Sequence, residues 1–420
     1  MIPSDRSLDI VAIGLGQAGG NLAAEFARRG YRALALNTAL TDLSATRAKH
    51  AAMADVPRLY IGIDGYDGAG ADLRYGRDCV MASADRIRRF VEHHIEGADI
   101  VMITAGLGGG TGSAMTELVG LLGSLGHPII ALATLPGDHE SAIAKVNAVR
   151  AVSDLMKIPG LTSILVDNAR LAELHANVAL DEYFQHVNAM IVAPLDALNR
   201  LNRRQGLRPI RSLDGENLRT LLTSTGVLNY AEGRVSGLSV EGVTDWITSA
   251  LHNSGLMPAG FAMSDISYLG FIVEASSALL ASTPFTLFNE LSQRLKARTS
   301  NAGMYLGVYR DDQMPSNEAT LRILASTPTL PQGIQAVVHA AQSEGGFLSE
   351  KLRRSVDRLE LGDIIDFDLL PHRSALSSAA GTARQRRPIR GRAKQSIEAR
   401  GVATATVAPA GGRQRAHSRN

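Results

Sequence analysis

Residues 103–114 read ITAGLGGGTGSA, and residues 14–20 read GLGQAGG. Each glycine cluster directly follows an apolar run, DIVMI at 99–103 and LDIVAI at 8–13. Glycine loses more conformational entropy on ordering than any other residue. Five glycines within residues 106–112 therefore need a reason. A strand-to-helix turn needs one or two. A backbone that wraps an oxygen-rich group closely needs several, because each Cβ would stand in the way. The helix expected from about Thr111 adds unpaired N–H groups and a partial positive charge. Phosphate is the natural ligand of such a place.

The surrounding pattern fits a doubly wound α/β fold. Strands are expected at 8–15, 31–38, 58–63, 99–104, 128–134 and 162–167, with helices at 19–30 and 76–95 between them. This alternation predicts a parallel sheet whose ligands bind beyond the carboxyl ends of the strands. Residues 177–203 read as one long helix with a kink at Pro194. A loop and a helix start follow over 204–218. From about 234 the pattern changes to helices at 240–253 and 286–296 and strands at 267–275, 303–309 and 320–326, a smaller α+β domain. Residues 330–342 and 348–360 read as closing helices.

Gly14, Gly16 and Gly19 fit G-x-G-x-x-G, the dinucleotide fingerprint. That reading keeps a nicotinamide oxidoreductase open as an alternative. It also requires an acidic residue at the end of the second strand for the ribose, and Asn37-Thr38 stands there. Two glycine loops at neighbouring strand ends suit one nucleotide with several phosphates better. No lysine follows either cluster, so the P-loop is absent. His93, His94, Glu92 and Glu96 lie on a charged helix and read as a solvated face rather than a ligand set.

Charge is unevenly placed. Residues 373–420 hold ten Arg and one Lys against Glu398, a surplus of ten positive charges in a chain of net charge +2. Residues 1–372 therefore carry −8. The tail has no aromatic residue and too little apolar surface to offset its ordering entropy, so it reads as disordered. It is either a solubilising spacer or a contact for something acidic. The single cysteine, Cys79, excludes an internal disulfide and a cysteine-built zinc site, and fits a reducing cytoplasm. No apolar run reaches the ~18 residues of a membrane helix.

With these loops in view, the chain resembles the tubulin/FtsZ superfamily of polymerising GTPases. GGGTGS resembles the superfamily signature. IGLGQAGGN resembles its first nucleotide loop, LNTALTDL (36–43) the segment after the second strand, and GYDGAGADLRYGRD (65–78) its third loop. LPGDHES (135–141) resembles the fifth loop, and ILVDNARL (164–171) the segment carrying a base-contacting Asn. The resemblance runs over roughly residues 8–345 and implies a GTP-binding domain over 1–176, a central helix over 177–205 and a second domain over 206–345, followed by a C-terminal helix over 346–372 and the tail over 373–420.

It implies that Gln17, Ala18, Gly19, Gly20 and Asn21 line the α- and β-phosphates and approach the base of GTP or GDP. Gly68, Ala69, Gly70 and Ala71 would sense the γ-phosphate. Gly108, Gly109, Gly110, Thr111 and Gly112 would cradle the phosphates, Glu140 would hold the ribose, and Asn168 and Asn188 would read guanine. Mg²⁺ would be held through the phosphates. The resemblance further implies a split active site, in which the loop after the central helix serves the nucleotide of the next subunit. Here that loop is SLDGENLRTLL (212–222). Asp214 falls on the family's first acid. The second falls on Asn217, with Glu216 one place early. An amide can hold water but cannot accept its proton, so a filament that binds GTP and barely hydrolyses it stays open beside a true GTPase. Asp214 and Glu216 can equally be a helix-capping pair. Ala144 and Lys145 stand near where division-type FtsZ carries an Arg. YRALALNT, LPGDHESAIAKVNAVRAV, STGVLNY and STPTLPQGIQAVV look more like the TubZ and CetZ groups than division FtsZ. The expected partners are further copies of the chain in protofilaments and, for the tail, DNA, an acidic adaptor or an anionic membrane surface.

Overall fold

The computed structural model describes residues 5–49, 56–63, 66–253 and 255–343. Six parallel strands lie in the order β3-β2-β1-β4-β5-β6. They are β1 (Ile10–Leu15), β2 (Arg32–Asn37), β3 (Arg58–Tyr60), β4 (Ile100–Gly106), β5 (Ile129–Leu135) and β6 (Thr162–Asp167). Every residue of β1 and the first six of β4 are buried, as expected of parallel strands covered on both faces. The helices between them are α1 (Gly16–Arg28), α2 (Leu40–Lys49), α3 (Leu73–Ala82), α4 (Ala84–Ile95), α5 (Met115–Gly123), α6 (Ala142–Leu155) and α7 (Asn168–Leu174). The chain moves outward from β1 to β2 and β3, then returns to lay β4 on the other side of β1. Such a reversal opens a crevice at the carboxyl ends of the two central strands, and both glycine clusters lie there.

The single helix expected over 76–95 is two. Ser83 separates α3 from α4; it is buried, and its hydroxyl donates to the carbonyl of Ile61 at 3.3 Å. The long helix α8 (Leu180–Asn199) keeps Pro194 in its interior, and a 3-10 turn at Leu201–Arg203 completes the expected span. It begins shortly after α7, at the carboxyl end of β6. It ends at the amino ends of the strands, where the fully buried Asn199 accepts from the N–H of Leu8 at 2.8 Å and donates to its carbonyl at 2.9 Å. Twenty residues rise about 30 Å, enough to cross the full height of the parallel strands.

The second half continues the same sheet in the order β8-β11-β9-β10-β7. These strands are β7 (Leu207–Arg211), β8 (Gly226–Ser236), β9 (Tyr268–Ala275), β10 (Gly303–Asp311) and β11 (Glu318–Thr327), with α9 (Gly215–Leu222), α10 (Val240–His252), α11 (Ser277–Ser282) and α12 (Phe285–Arg298). Only Thr162–Gly226 and Ser163–Val227 pair across the join between β6 and β8. Two strands lie where none was expected: β7, inside the 204–218 stretch read as loop and helix start, and β8. The helix expected at 330–342 begins at 332 and reaches 343. The expected helices at 348–360 and 346–372 and the tail at 373–420 lie outside the described residues. No helix among the described residues is long and apolar enough to cross a membrane.

Candidate nucleotide site

The crevice is built from four loops that touch one another. Helix α1 starts at Gly16, in the left-handed region at φ +73°, with no side-chain cap and no acid in its first turn. Gln17 and Ala18 are exposed at that turn, Gly19 and Gly20 are buried, and Asn21 is half-buried. A Cβ on Gly19 would lie 2.1 Å from the carbonyl oxygen of Thr104, so this glycine is required by close packing of α1 on β4. A Cβ on Gly20 would meet nothing within 4 Å, although the residue is buried.

The loop after β4 meets α1 directly, since a Cβ on Gly16 would stand 3.3 Å from the N–H nitrogen of Gly112. The 3-10 turn at Gly112–Ala114 also has no side-chain cap. Thr111 is buried, and its hydroxyl is shared with that of Thr38 at 2.6 Å. Ser113 donates to the carbonyl of Gly109 at 2.6 Å. The loop's own hydroxyls are thus occupied inside the protein, and its free donors are backbone N–H groups. Gly109 is exposed and a Cβ there would meet nothing within 4 Å, whereas a Cβ on Gly110 would lie 2.6 Å from the carbonyl of Asp72.

The third loop carries the backbone strain. Gly68, Gly70 and Ala71 have φ of +93°, +53° and +64°. For Ala71 that conformation costs about 1–2 kcal/mol. Three tethers hold the loop there. Gly68 donates to Thr38 O at 3.0 Å. Asp67 accepts from Leu40 N–H at 2.7 Å and from the Thr41 hydroxyl at 2.6 Å. The buried Asn147 of α6 donates to Ala71 O at 2.8 Å and to Gly108 O at 3.3 Å, joining this loop to the glycine loop. The sequence reading missed Asn147; no local motif marks it, because its partners are 76 and 39 residues away. Glu140 accepts from the N–H of Gly137 at 2.9 Å. Its other oxygen would lie 3.2 Å from a Cβ on Gly108, so the carboxylate rests on the glycine loop. Lys145, buried on α6, donates to Asp138 O at 3.0 Å.

Asn168 opens α7, beside the capping Asp167. Burial raises the pKa of the Asp167 carboxyl above the usual carboxylate range, against the pull of its bonds to the N–H groups of Arg170 and Ala169. Asn188 lies half-buried in α8. Phe184, also missed, stands one helical turn before it and is 66% exposed. Residues four apart share a helix face, and an aromatic ring left in solvent beside an amide is the signal that could have marked it. At the end of β2, Asn37 accepts from the N–H of Ala39 at 3.1 Å. The position that a dinucleotide enzyme needs for its acid is closed on its own chain.

Asp214, Glu216 and Asn217 are elsewhere. Asp214 is exposed and caps α9, accepting from the N–H of Asn217 at 2.8 Å. Glu216 is exposed and within 3.4 Å of Arg219. A Cβ on Gly215 would lie 3.3 Å from the carbonyl of Ser7. Ser7 precedes β1, and the first glycine loop follows it, beside the loop that follows β4. The strand puts about 20 Å between this cluster and the glycine-lined crevice of the same chain.

Residues 9–176 match the model of the Tubulin/FtsZ family, GTPase domain. Over those residues the chain carries a tubulin/FtsZ-family GTPase domain. It is 28% identical over 367 residues to the cell division protein FtsZ of Methanothermobacter thermautotrophicus, covering 85% of this chain and 89% of the relative. Among solved structures it is similar in fold to CetZ2 from Haloferax volcanii, a GTPγS-bound protofilament, with TM-score 0.63 and 21% identity over 80% of this chain and 98% of the other. It is also similar to a GTPγS-form protofilament of Bacillus thuringiensis TubZ, with TM-score 0.65 and 19% identity over 83% and 95% of the two chains. Nothing in these likenesses supports the oxidoreductase alternative. Members of the tubulin/FtsZ family are GTPases, and residues 9–176 match that family's GTPase domain.

Proposed function

We propose that the chain binds GTP or GDP in the crevice between β1 and β4, assembles head-to-tail, and hydrolyses GTP at the junction between subunits. The observation that carries this reading is the separation of its two halves. The glycine loops lie at the carboxyl ends of the strands, and Asp214 caps a helix at the amino end. One chain cannot bring them together, but a second copy stacked on it can, because a heterologous contact of this kind repeats without limit. In that contact Asp214 orients the attacking water, helped by Glu216 or Asn217, while uncapped helix starts and backbone N–H groups hold the phosphates. Mg²⁺, held by phosphate oxygens, offsets their charge. The open Cβ positions at Gly20 and Gly109 leave room for phosphate oxygens. Glu140 is suited to the ribose hydroxyls. The side chains of Asn168 and Asn188 have no hydrogen-bond partner among the described residues and are suited to a base edge, with Phe184 stacking on its face.

The test is phosphate release measured against protein concentration, with pelleting in parallel. Turnover per subunit should rise with assembly, and GTP should outcompete ATP in displacement of a fluorescent nucleotide. Turnover independent of concentration would defeat the split site. The second reading, a GTP-binding filament with little hydrolysis, rests on the amide at Asn217; filaments that form on GTP and release phosphate no faster than isolated subunits would favour it. Whether the filament serves DNA segregation, cell shape or division, in the manner of TubZ, CetZ or FtsZ, is the finer part of the proposal. So are a cytoplasmic setting and recruitment of DNA, an acidic adaptor or an anionic membrane through the surplus positive charge at 373–420. Deletion after Pro371 should leave GTP binding intact and abolish salt-sensitive cosedimentation of filaments with the polyanion.

A further inference from the structure

We propose that Tyr309 and Asn202 are positioning residues for hydrolysis: they lock the backbone of Leu213 and so fix where Asp214 stands at the subunit junction. The proposal rests on the split-site reading above. Its basis is a closed ring of three hydrogen bonds. The N–H of Leu213 donates to the hydroxyl of Tyr309 at 2.7 Å. That hydroxyl donates to Oδ1 of Asn202 at 2.7 Å. The Nδ2 group of Asn202 donates to the carbonyl of Leu213 at 2.5 Å. Both backbone polar groups of the residue before Asp214 are therefore held by side chains.

The surroundings make the ring rigid. Tyr309 is fully buried and Leu213 is 2% exposed. Gly307 leaves the space both occupy, since a Cβ there would lie 2.9 Å from the tyrosine ring and 3.3 Å from the Leu213 Cβ. Burial raises the phenol's pKa, and the nearby Asp214 carboxylate raises it further, so the hydroxyl remains a donor throughout the neutral range. A buried backbone group that loses its partner costs more than the bond itself gains, so the three residues move together or not at all.

The ring also joins the two ends of the reaction. Asn202 belongs to the 3-10 turn that directly follows α8. Asn188 lies on that same helix, 11 residues or about 16 Å before its end, towards the glycine-loop edge of the sheet. The backbone that carries Asp214 is thereby tied, through Asn202, to the end of the helix that carries Asn188.

The experiment uses the full chain and two variants, Tyr309→Phe, which removes one hydroxyl, and Asn202→Asp, which keeps the acceptor and removes the donor. Each is measured alone and combined with Asp214→Ala. Phosphate release at saturating GTP should fall roughly tenfold in each ring variant, with the KM for GTP, monomer nucleotide affinity and pelleted fraction unchanged. In the Asp214→Ala background the ring variants should lower turnover no further, because their effect passes through the carboxylate. Equal losses in both backgrounds, or turnover within about twofold of the unaltered chain in both ring variants that fold, overturn the proposal. If Asp214→Ala alone leaves turnover intact, the split-site reading itself has failed, and the ring has nothing to position.

Discussion

A methyl group on Gly109 and one on Gly110 would meet different things. At Gly110 it runs into the backbone of Asp72 and the side chain of Ala69, at 2.6 and 2.8 Å. At Gly109 it enters open space at the mouth of the crevice. Gly110→Ala should therefore act on the fold, at about 1–3 kcal/mol for an overpacked contact, visible as a lowered Tm without nucleotide. Gly109→Ala should leave that Tm unchanged and weaken GTP binding about tenfold, which a fluorescent-nucleotide titration measures. If the two variants exchange these behaviours, the phosphates lie elsewhere. Asn147→Ala frees the carbonyls of Ala71 and Gly108 together, and should weaken GTP binding by a similar factor, because the strained third loop loses one of its tethers. The bond from the Thr41 hydroxyl, with that from the Leu40 N–H, holds the Asp67 carboxyl below the usual carboxylate range. A lowered folded pKa contributes stability above the unfolded value, and that contribution is lost as pH falls through the folded value. Asp67→Asn should thus lower Tm by about 1–2 °C at neutral pH, since the group is exposed, and not at all below both values.

Helix α9 is where the capping role of one residue can be separated from its proposed catalytic role. Asp214 caps it through the N–H of Asn217. Asn and Ser cap as well as Asp does, and Ala does not. Asp214→Ser should therefore keep Tm within experimental error and still abolish most assembly-dependent phosphate release, while Asp214→Ala should lose about 1 kcal/mol of stability as well. A Ser variant with full turnover would leave capping as the carboxylate's whole role. Elements like this one were readable in the sequence because their signals are local: apolar runs closed by glycine, or an acid three residues before a free N–H. The strands β7 and β8 were not. β7 has four exposed residues, Pro209 among them, tolerable only because it is the last strand of the sheet, and no local signal reveals an edge. β8 is buried through Tyr230 and alternates only afterwards, so its first half has no period to read. The glycine loops were legible for the opposite reason, since five glycines cannot be hidden. Asn147, Tyr309 and Asn202 act on partners distant in sequence and have no pattern at all.

At the scale of the whole molecule, the glycine loops and Asp214 lie at opposite ends of the parallel strands, and on the split-site reading a defect at one end should be repairable by another subunit. A Gly109→Val chain should bind nucleotide poorly but keep an intact Asp214. An Asp214→Ala chain should bind nucleotide normally but offer no carboxylate to its neighbour. Neither alone should release phosphate at more than a small fraction of the unaltered rate. Mixed, they form one competent kind of junction, with GTP in the Asp214→Ala chain and the carboxylate from the Gly109→Val chain stacked on it. Random pairing makes that junction up to about a quarter of all contacts in a head-to-tail assembly. Phosphate release in an equimolar mixture should therefore recover to at most about that share of the unaltered rate. It should also rise with the square of total protein at concentrations too low for filaments, because the active species is then a pair. A site contained in one chain predicts instead that the mixture equals the mean of its two parts at every concentration. The two outcomes differ in the order of the concentration dependence as well as in its size, so partial loss of folding in either variant cannot imitate recovery.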